Sequence, residues 1–369
     1  MGDRLHGENS GTISQYVDVL CQEITHTKAL GEPLKTVFFG GGTPSLLSAK
    51  QLQQILNTLN AQFGIADDAE ISIEIDPGTF TLEQLHDYRA AGVNRVSLGV
   101  QALQPELLKM CGRSHTVEDI YTAIATIRKV NIPSFSLDLI SGLPHQTLNH
   151  WQDSLNQVVA IAPNHISIYD LQVEPGTAFA RYYQAGEKPL PSDDTTVQMY
   201  RHAQHVLTAA GYEHYEISNY AQPQHQCRHN RVYWQNLAYY GFGMGAASYV
   251  QRQRFTRPRK TQEYYQWVRD YMATGGVLNC PQTPADETLL ETLMLGLRLR
   301  EGIDLTTVAQ QFGMQTLDEI WQCLQPYRQQ GWVEIVDTNE NQKLRLTDPE
   351  GFLFSNTVLA ALFAHLTNS

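Results

Sequence analysis

Cysteine is scarce and scattered in this sequence. Five stand at Cys21, Cys111, Cys227, Cys280 and Cys323 in 369 residues. They are odd in number and far apart, which argues against a disulfide framework and for a reducing, cytoplasmic setting. No two lie close enough for a local metal or cluster motif. Long apolar runs are lacking too. The best, Val358 to Ala364, falls far short of the roughly 18 residues that a membrane span needs. The opening residues, Met1-Gly2-Asp3-Arg4-Leu5-His6, hold no apolar stretch of the kind a signal peptide carries. Positive charge is short as well. Lys+Arg number 26 against 38 Asp+Glu, a net charge of −12, so a broad grip on nucleic acid is not expected. With 42% hydrophobic and 17% charged residues, what remains is an ordinary globular chain with a real core. Its length suits one large domain and a small one.

Five short β-type runs recur in the first half: Thr36 to Phe39, Ile71 to Ile75, Arg95 to Val100, Ser134 to Ile140 and His165 to Tyr169. Their starts are 24 to 39 residues apart, the length of a βα unit. Helical patterns lie between them. Leu52, Ile55, Leu56 and Leu59 share one face of a helix over Gln51 to Phe63. Thr81 with Gln84 reads as a capping box opening Thr81 to Ala91. Thr116 with Asp119 starts a helix that runs to Val130, and Thr147 to Ala160 is the last of the series. A leading helix covers Thr12 to Leu30. This alternation predicts an α/β fold with a parallel sheet, open or closed into a barrel.

The pattern breaks after residue 172. Residues 173–284 are rich in Tyr, Gln, His and Pro and hold fewer clean strands. From Asp286, Leu289, Leu293 and Leu297 mark a buried-face helix ending near Gly302. Helices over Leu305 to Phe312 and Leu317 to Gln329 follow, then strands Trp332 to Val336 and Lys343 to Leu346 around the turn Asp337-Thr338-Asn339-Glu340-Asn341. Three helices and a hairpin read as a winged-helix-like unit over 285–369. Asp286 to Asn356 holds 5 Lys/Arg and 12 Asp/Glu, a local net of −7. That favours a protein-facing or structural role over DNA binding. The expected units are therefore 1–172, 173–284 and 285–369.

In parallel βα architectures, ligands sit at the carboxyl ends of strands. Gly40-Gly41-Gly42-Thr43-Pro44 follows the first run. Three glycines let a ligand approach the backbone and leave N–H and C=O groups free to bind it. A tight turn is the plainer alternative, though it rarely needs three. Glu74 is a charge inside an apolar run, so it faces a ligand or pairs with a cation. Gln101 follows the third run, Asp138 interrupts the fourth, and Asp170 and Gln172 follow the fifth. Gly41, Thr43, Glu74, Gln101, Asp138 and Gln172 thus fall at corresponding strand ends. One ligand with amine, carboxylate and hydroxyl groups would explain that.

These residues also carry a resemblance. Phe39-Gly40-Gly41-Gly42-Thr43-Pro44-Ser45, Glu74-Ile75-Asp76-Pro77-Gly78, Asn94 to Gln101, Asp138 to Pro144 and Glu174-Pro175-Gly176-Thr177 together resemble the radical S-adenosylmethionine (SAM) family of oxygen-independent coproporphyrinogen III oxidases and their relatives. His229-Asn230-Arg231-Val232-Tyr233-Trp234 resembles the HNxxYW motif of the haem-chaperone branch. The resemblance covers nearly the whole chain. It implies a partial (β/α)6 radical-SAM barrel, here missing its first strand, with the winged-helix-like domain behind it. It implies SAM binding by Gly41, Gly42 and Thr43 at the amine end, by Glu74, Gln101 and Arg113, with Arg113 at the carboxylate end, and by Asp138 and Gln172. The Gly241 to Ser248 loop, with Ala247, is expected to close over SAM. Alone, Arg113 reads as a surface arginine after Cys111-Gly112.

One departure stands out. The family holds a [4Fe–4S] cluster on CxxxCxxC, and no such motif occurs in these 369 residues. The sequence is therefore expected either to start late or to be a naturally cluster-less form, and no metal ligand or catalytic residue is assigned. The resemblance implies haem and a haem-accepting protein as partners. It leaves a homodimer, and peripheral association with membrane proteins, open. His225, Cys227 and His229 stand at alternate positions and, if extended, would project to one side. His and Cys are both haem ligands, and a polar loop is the plainer reading. Tyr233 and Trp234 complete the motif. The basic run Arg252, Arg254, Arg257, Arg259 and Lys260 would meet haem propionates or simply face solvent. Tyr239, Tyr240, Phe242 and Tyr249 would pack on a porphyrin face. The implied function is that of a haem chaperone. The alternative is a coproporphyrinogen oxidase-like enzyme of porphyrin biosynthesis.

Overall fold

The computed structural model describes residues 10–176, 179–184, 186–278, 280–338 and 341–367. Thr177, the last residue of the Glu174-Pro175-Gly176-Thr177 motif, lies outside them, as do Met1 to His6 and two residues of the expected hairpin turn, Asn339 and Glu340. The first half alternates as its periodicity predicts. Helix α1 (Ser10–His26) leads into β1 (Leu34–Phe39), α2 (Ala49–Phe63), β2 (Ile65–Ile75), α3 (Leu82–Ala90), β3 (Arg95–Gln101), α4 (Pro105–Met110), α5 (Val117–Val130), β4 (Ser134–Ser141), α6 (Leu148–Ile161) and β5 (His165–Asp170). Strands β1 to β5 pair in parallel, in sequence order.

Burial alternates along these strands. Val96, Leu98 and Val100 of β3, Phe135, Leu137 and Leu139 of β4, and Ile166 and Ile168 of β5 join the main core with Leu52, Ile55, Leu56 and Leu59 of α2 and Ile120, Ile124 and Ile127 of α5. Each such side chain stabilises by roughly 1.5–3 kcal/mol. The other face carries Arg95, Ser97, Ser134, Ser136, Asp138, His165 and Ser167. Parallel strands are usually apolar on both faces. A polar inner face marks a curled sheet that surrounds something other than hydrocarbon.

Caps set the helix starts. Ser48 with Gln51, Thr116 with Asp119 and Thr147 with His150 form complete capping boxes. The box expected at Thr81 is only half made. Thr81 accepts from the Gln84 backbone N–H, but the Gln84 amide donates to the Ser45 and Leu47 carbonyls instead. Two carbonyls of the loop after β1 draw it away from the cap.

The middle segment extends the sheet. After α7 (Phe179–Tyr182) and α8 (Asp193–Ala209) come β6 (Glu213–Glu216) and β7 (Asn219–Ala221). They add antiparallel strands, giving a seven-stranded order β1-β2-β3-β4-β5-β7-β6 rather than five strands. Met199, Ala203 and Leu207 of α8 and Tyr220 of β7 belong to the main core. Next come α9 (Arg228–Trp234), the hairpin β8 (Ala247–Val250) with β9 (Gln253–Thr256), and α10 (Thr261–Ala273).

The last unit is α11 (Ala285–Gly296), β10 (Ile303–Asp304), α12 (Leu305–Phe312), α13 (Met314–Gln329), β11 (Val333–Asp337), β12 (Gln342–Leu346), α14 (Glu350–Leu353) and α15 (Ser355–Leu366). Its three-stranded sheet runs β10-β12-β11, one strand more than the sequence suggests. Helix α11 stops at Gly296, short of Gly302. Gly302 has φ +69 and sits against the Leu344 carbonyl, where a Cβ would clash at 2.1 Å. A tight turn into β10 is what needs that glycine. Leu289, Leu293, Leu324, Leu344 and Leu362 form this unit's own core. Against the large sheet, His214 of β6 bonds Asp348 at 2.8 Å and stacks on Tyr220, while Arg201 of α8 grips Glu350 with two bonds.

A candidate SAM cavity and the helix behind it

The carboxyl ends of the parallel strands surround one cavity of about 250 Å³. It is lined by Gly42, Thr43 and Pro44 after β1, Glu74, Ile75 and Asp76 at the end of β2, Ser97, Gly99 and Gln101 on β3, Arg113 after α4, Asp138 on β4 and Tyr169 on β5. Residues far apart in sequence converge because they stand on or just beyond neighbouring parallel strands, with Arg113 entering from the loop after α4.

The glycines have separate tasks. Gly41 and Gly42 have φ +79 and +62, a conformation that bends the loop back over the strand ends. The Gly41 N–H donates to Glu74 Oε2 at 3.1 Å. A Cβ on Gly99 would lie 2.7 Å from Asp76 Oδ1 and 3.0 Å from Gln101 Nε2, so glycine is what lets those two side chains close in. Gln101 itself has φ +66, a strained backbone of the kind found at binding sites.

Charge in the cavity is lopsided. Asp138 accepts from Ser97 Oγ at 2.8 Å and from Ser136 Oγ at 2.9 Å. Burial nevertheless holds its carboxyl above the usual range. Burial also raises Glu74, and the neighbouring Asp138 and Asp76 add to the shift, against the Gly41 N–H. Arg113 pairs with Asp76 at 3.2 Å. Three carboxyls around one lining arginine make a hollow that complements a cationic ligand.

Of the residues marked in the sequence, Gly42, Thr43, Glu74, Gln101, Arg113 and Asp138 line this hollow, and Gly41 binds its wall. Gln172 is exposed beyond the end of β5 and is not a lining residue. Ala247 lies on β8, paired with Thr256, and is not one either. Asp76, Ser97 and Tyr169 were missed as site residues. Their signal was the two-residue period: each stands two positions from another inner-face residue, namely Glu74, Arg95 and Ser167.

The HNxxYW segment lies at the amino-end side of the same inner face. His225, Cys227 and His229 do not project to one side as an extended segment would. Helix α9 starts at Arg228 because the Glu70 carboxylate takes its first amides, from Arg228 N–H and His229 N–H at 3.0 Å each. His225 turns to Ser134 and Asn164. Cys227 is buried, donates to Glu70 and is pushed up to about 11, chiefly by burial, so it is a thiol. His229 stacks on Phe38 with centroids 5.0 Å apart. Burial brings its imidazole down to about 4 against the pull of Glu70, so it is neutral near pH 7. Phe38 in turn packs against Gly40, where a Cβ would meet it at 2.3 Å and Glu74 at 3.1 Å. One phenyl ring therefore separates His229 from the cavity wall. Tyr233 and Trp234 share α9 with His229. Trp234 lies under the Arg298 guanidinium.

The aromatic and basic runs divide. Tyr239 and Tyr249 continue from Tyr233, and Arg254 covers Tyr249. Tyr240 and Phe242 instead pack on Phe63, away from α9. Arg257 faces neither solvent nor a ligand. It is buried against Glu23 at 2.7 Å.

No three thiols approach one another, and no group of three His, Cys, Asp or Glu able to hold a metal ion occurs among the described residues. The described residues do not fit an iron–sulfur cluster, and no step below passes through one. No helix among the described residues is long and apolar enough to cross a membrane.

Comparison with known proteins accounts for this architecture. Residues 16–158 match the radical SAM superfamily and residues 283–354 the HemN C-terminal domain. The structure is similar to coproporphyrinogen III oxidase (HemN) from Escherichia coli, a radical SAM enzyme. The TM-score is 0.80 at 25% identity, over 96% of this chain and 84% of that one. The fold and these family matches thus define a radical SAM protein of the HemN type. Among sequence relatives, the heme chaperone HemW of Synechocystis sp. is 47% identical over 96% of this chain and 89% of its own. That of Bacillus subtilis is 33% identical over 97% and 93%. The chain belongs to the HemW family of haem chaperones.

Proposed function

We propose that this chain binds haem through the His229 imidazole and hands it to a haem-requiring protein. Its strand-end cavity takes SAM. The observation that carries the haem reading is His229 itself: a neutral imidazole on a helix clamped by Glu70, in the motif that marks the branch. Only a neutral imidazole can offer a lone pair to iron. Tyr233 packs on Tyr239, whose hydroxyl accepts from the exposed Arg254; a porphyrin at His229 would meet these two aromatic edges, with its propionates competing with Glu291 for the Arg254 guanidinium.

For SAM, support comes from the composition of the cavity. Its sulfonium and ammonium suit a hollow with Glu74, Asp76 and Asp138. Its carboxylate suits Arg113, whose fork can turn from Asp76, and its ribose hydroxyls suit Asp138 and Gln101. The chain's own part in each case is to bind and orient. We also take the chain to work in the cytosol and to divide at about residues 172 and 284. The oxidase reading has fold likeness behind it, whereas the chaperone reading has relatives along nearly the full chain.

Haem titration tests the proposal. The chain should give a Soret band that saturates at one haem per chain, and His229→Ala should weaken binding by at least tenfold with the far-UV circular dichroism unchanged. A titration unaltered by His229→Ala would remove His229 from the account.

A further inference from the structure

Both ring nitrogens of His229 are occupied. Nδ1 lies 2.9 Å from Thr36 Oγ1 on β1, and Nε2 lies 2.8 Å from the hydroxyl of Tyr233, one turn further along α9. A neutral imidazole has one N–H and one lone pair, so the two partners see different chemistry, and they stand on different elements. Thr36 sits directly across the β1–β2 ladder from Glu70, the residue that fixes the α9 amides. Thr36 and Glu70 therefore form one rigid seat, gripping the ring from one side and the helix start from the other. Tyr233 stands at the far end of a seven-residue helix. Beyond it the chain turns at Asn236, with φ +50, and Leu237 is 50% exposed. The Tyr233 hydroxyl has no other hydrogen-bond partner among the described residues, and its ring leans on Tyr239 by an edge. Of the two partners, Thr36 is held within the sheet, whereas Tyr233 stands on a short helix beside an exposed turn.

We propose that Tyr233 is a latch that occupies Nε2 of His229 in the empty chain, and that Thr36 is a positioning residue that keeps the proton on Nδ1, so that Nε2 is the nitrogen offered to haem iron. This rests on the haem reading above. In the empty chain, Nδ1–H donates to Thr36 Oγ1 and the Nε2 lone pair accepts from the Tyr233 hydroxyl. Haem iron takes the same lone pair, so uptake breaks the tyrosine bond and leaves the threonine bond intact. No proton moves on the ring. Ligating histidines are commonly oriented by just such a partner on the other nitrogen, and here that partner is already in place before the ligand arrives.

Two variants of the full chain separate the roles. Tyr233→Phe removes the competing hydroxyl and keeps the ring, so haem should bind about threefold to tenfold more tightly, the worth of one ordinary hydrogen bond. Thr36→Val keeps the shape and removes the acceptor. Haem affinity should then fall about tenfold, and the iron–histidine stretch of the ferrous protein, read by resonance Raman, should move to lower frequency. Thr36→Ser should restore both. A merely structural threonine would not move the iron–histidine stretch.

Unchanged or weaker binding by Tyr233→Phe would overturn the latch, and loss of a tyrosinate charge-transfer band in that variant would make Tyr233 itself the ligand. An unmoved iron–histidine stretch in Thr36→Val would overturn the positioning role. Failure of the underlying haem reading looks different: His229→Ala would then leave the haem spectrum intact.

Discussion

Replacing Glu23 with alanine should lower the free energy of unfolding by about 3–5 kcal/mol, read as a shift in the urea midpoint. Glu23 and Arg257 are a wholly buried ion pair, 0% and 1% exposed, with Oε1 2.7 Å from Nε. The other carboxylate oxygen accepts from the Tyr264 hydroxyl at 2.6 Å and from the Gly243 N–H at 3.0 Å. Arg257 also donates to Ser248 Oγ, which bonds the Gly241 backbone. One carboxylate of α1 thus fastens the glycine-rich loop, the β8–β9 hairpin and α10. Its loss strands a guanidinium among Phe242, Phe255 and Trp267 and leaves two donors unpaired. Removing both charges together, as Glu23→Leu with Arg257→Met, should recover much of the loss, because an isolated buried charge costs more than an absent pair. Equal losses in the single and double variants would show that the network contributes by shape rather than charge.

The second large effect falls on the cavity. Glu74→Gln should weaken SAM binding by about tenfold to a hundredfold, the worth of a hydrogen bond to a charged group. Folding should barely suffer, since the amide oxygen can still accept from Gly41. Affinity should also depend on pH. Glu74 and Asp138 are both held above the usual carboxylate range by burial. As pH falls through their raised pKa values, both become neutral and a cationic ligand is held less tightly. The same shift means that ionising them costs the empty fold some stability as pH rises above their ordinary range, and a bound cation offsets that cost. Calorimetric titration at several pH values reads both effects. Affinity independent of pH and of Glu74→Gln would place SAM elsewhere.

The five parallel strands were legible because each is a short apolar run with a polar residue at its carboxyl end. Glu74, Gln101 and Asp138 could be picked out for the same reason. Strands β6 and β7 were not. They span four and three residues, Glu213–Glu216 and Asn219–Ala221, too short for a period of two to show. Arg113 carried no local signal, and its place in the cavity depends on Asp76, which lies 37 residues away in the chain. The run from His225 to His229 misled for a similar reason. The alternate spacing left an extended segment or a polar loop open, whereas Glu70 caps α9 from β2, across more than 150 residues of sequence. Local patterning could not show that contact.

The most direct test of the haem-carrier account is transfer. The chain, loaded with one haem and freed of excess by gel filtration, is mixed with an apo haem protein while the Soret band is followed. The account predicts that the chain's band gives way to the acceptor's, while the chain keeps its fold and can be loaded again. Haem that never binds at one per chain, or that stays on the chain while the acceptor remains empty, would contradict it.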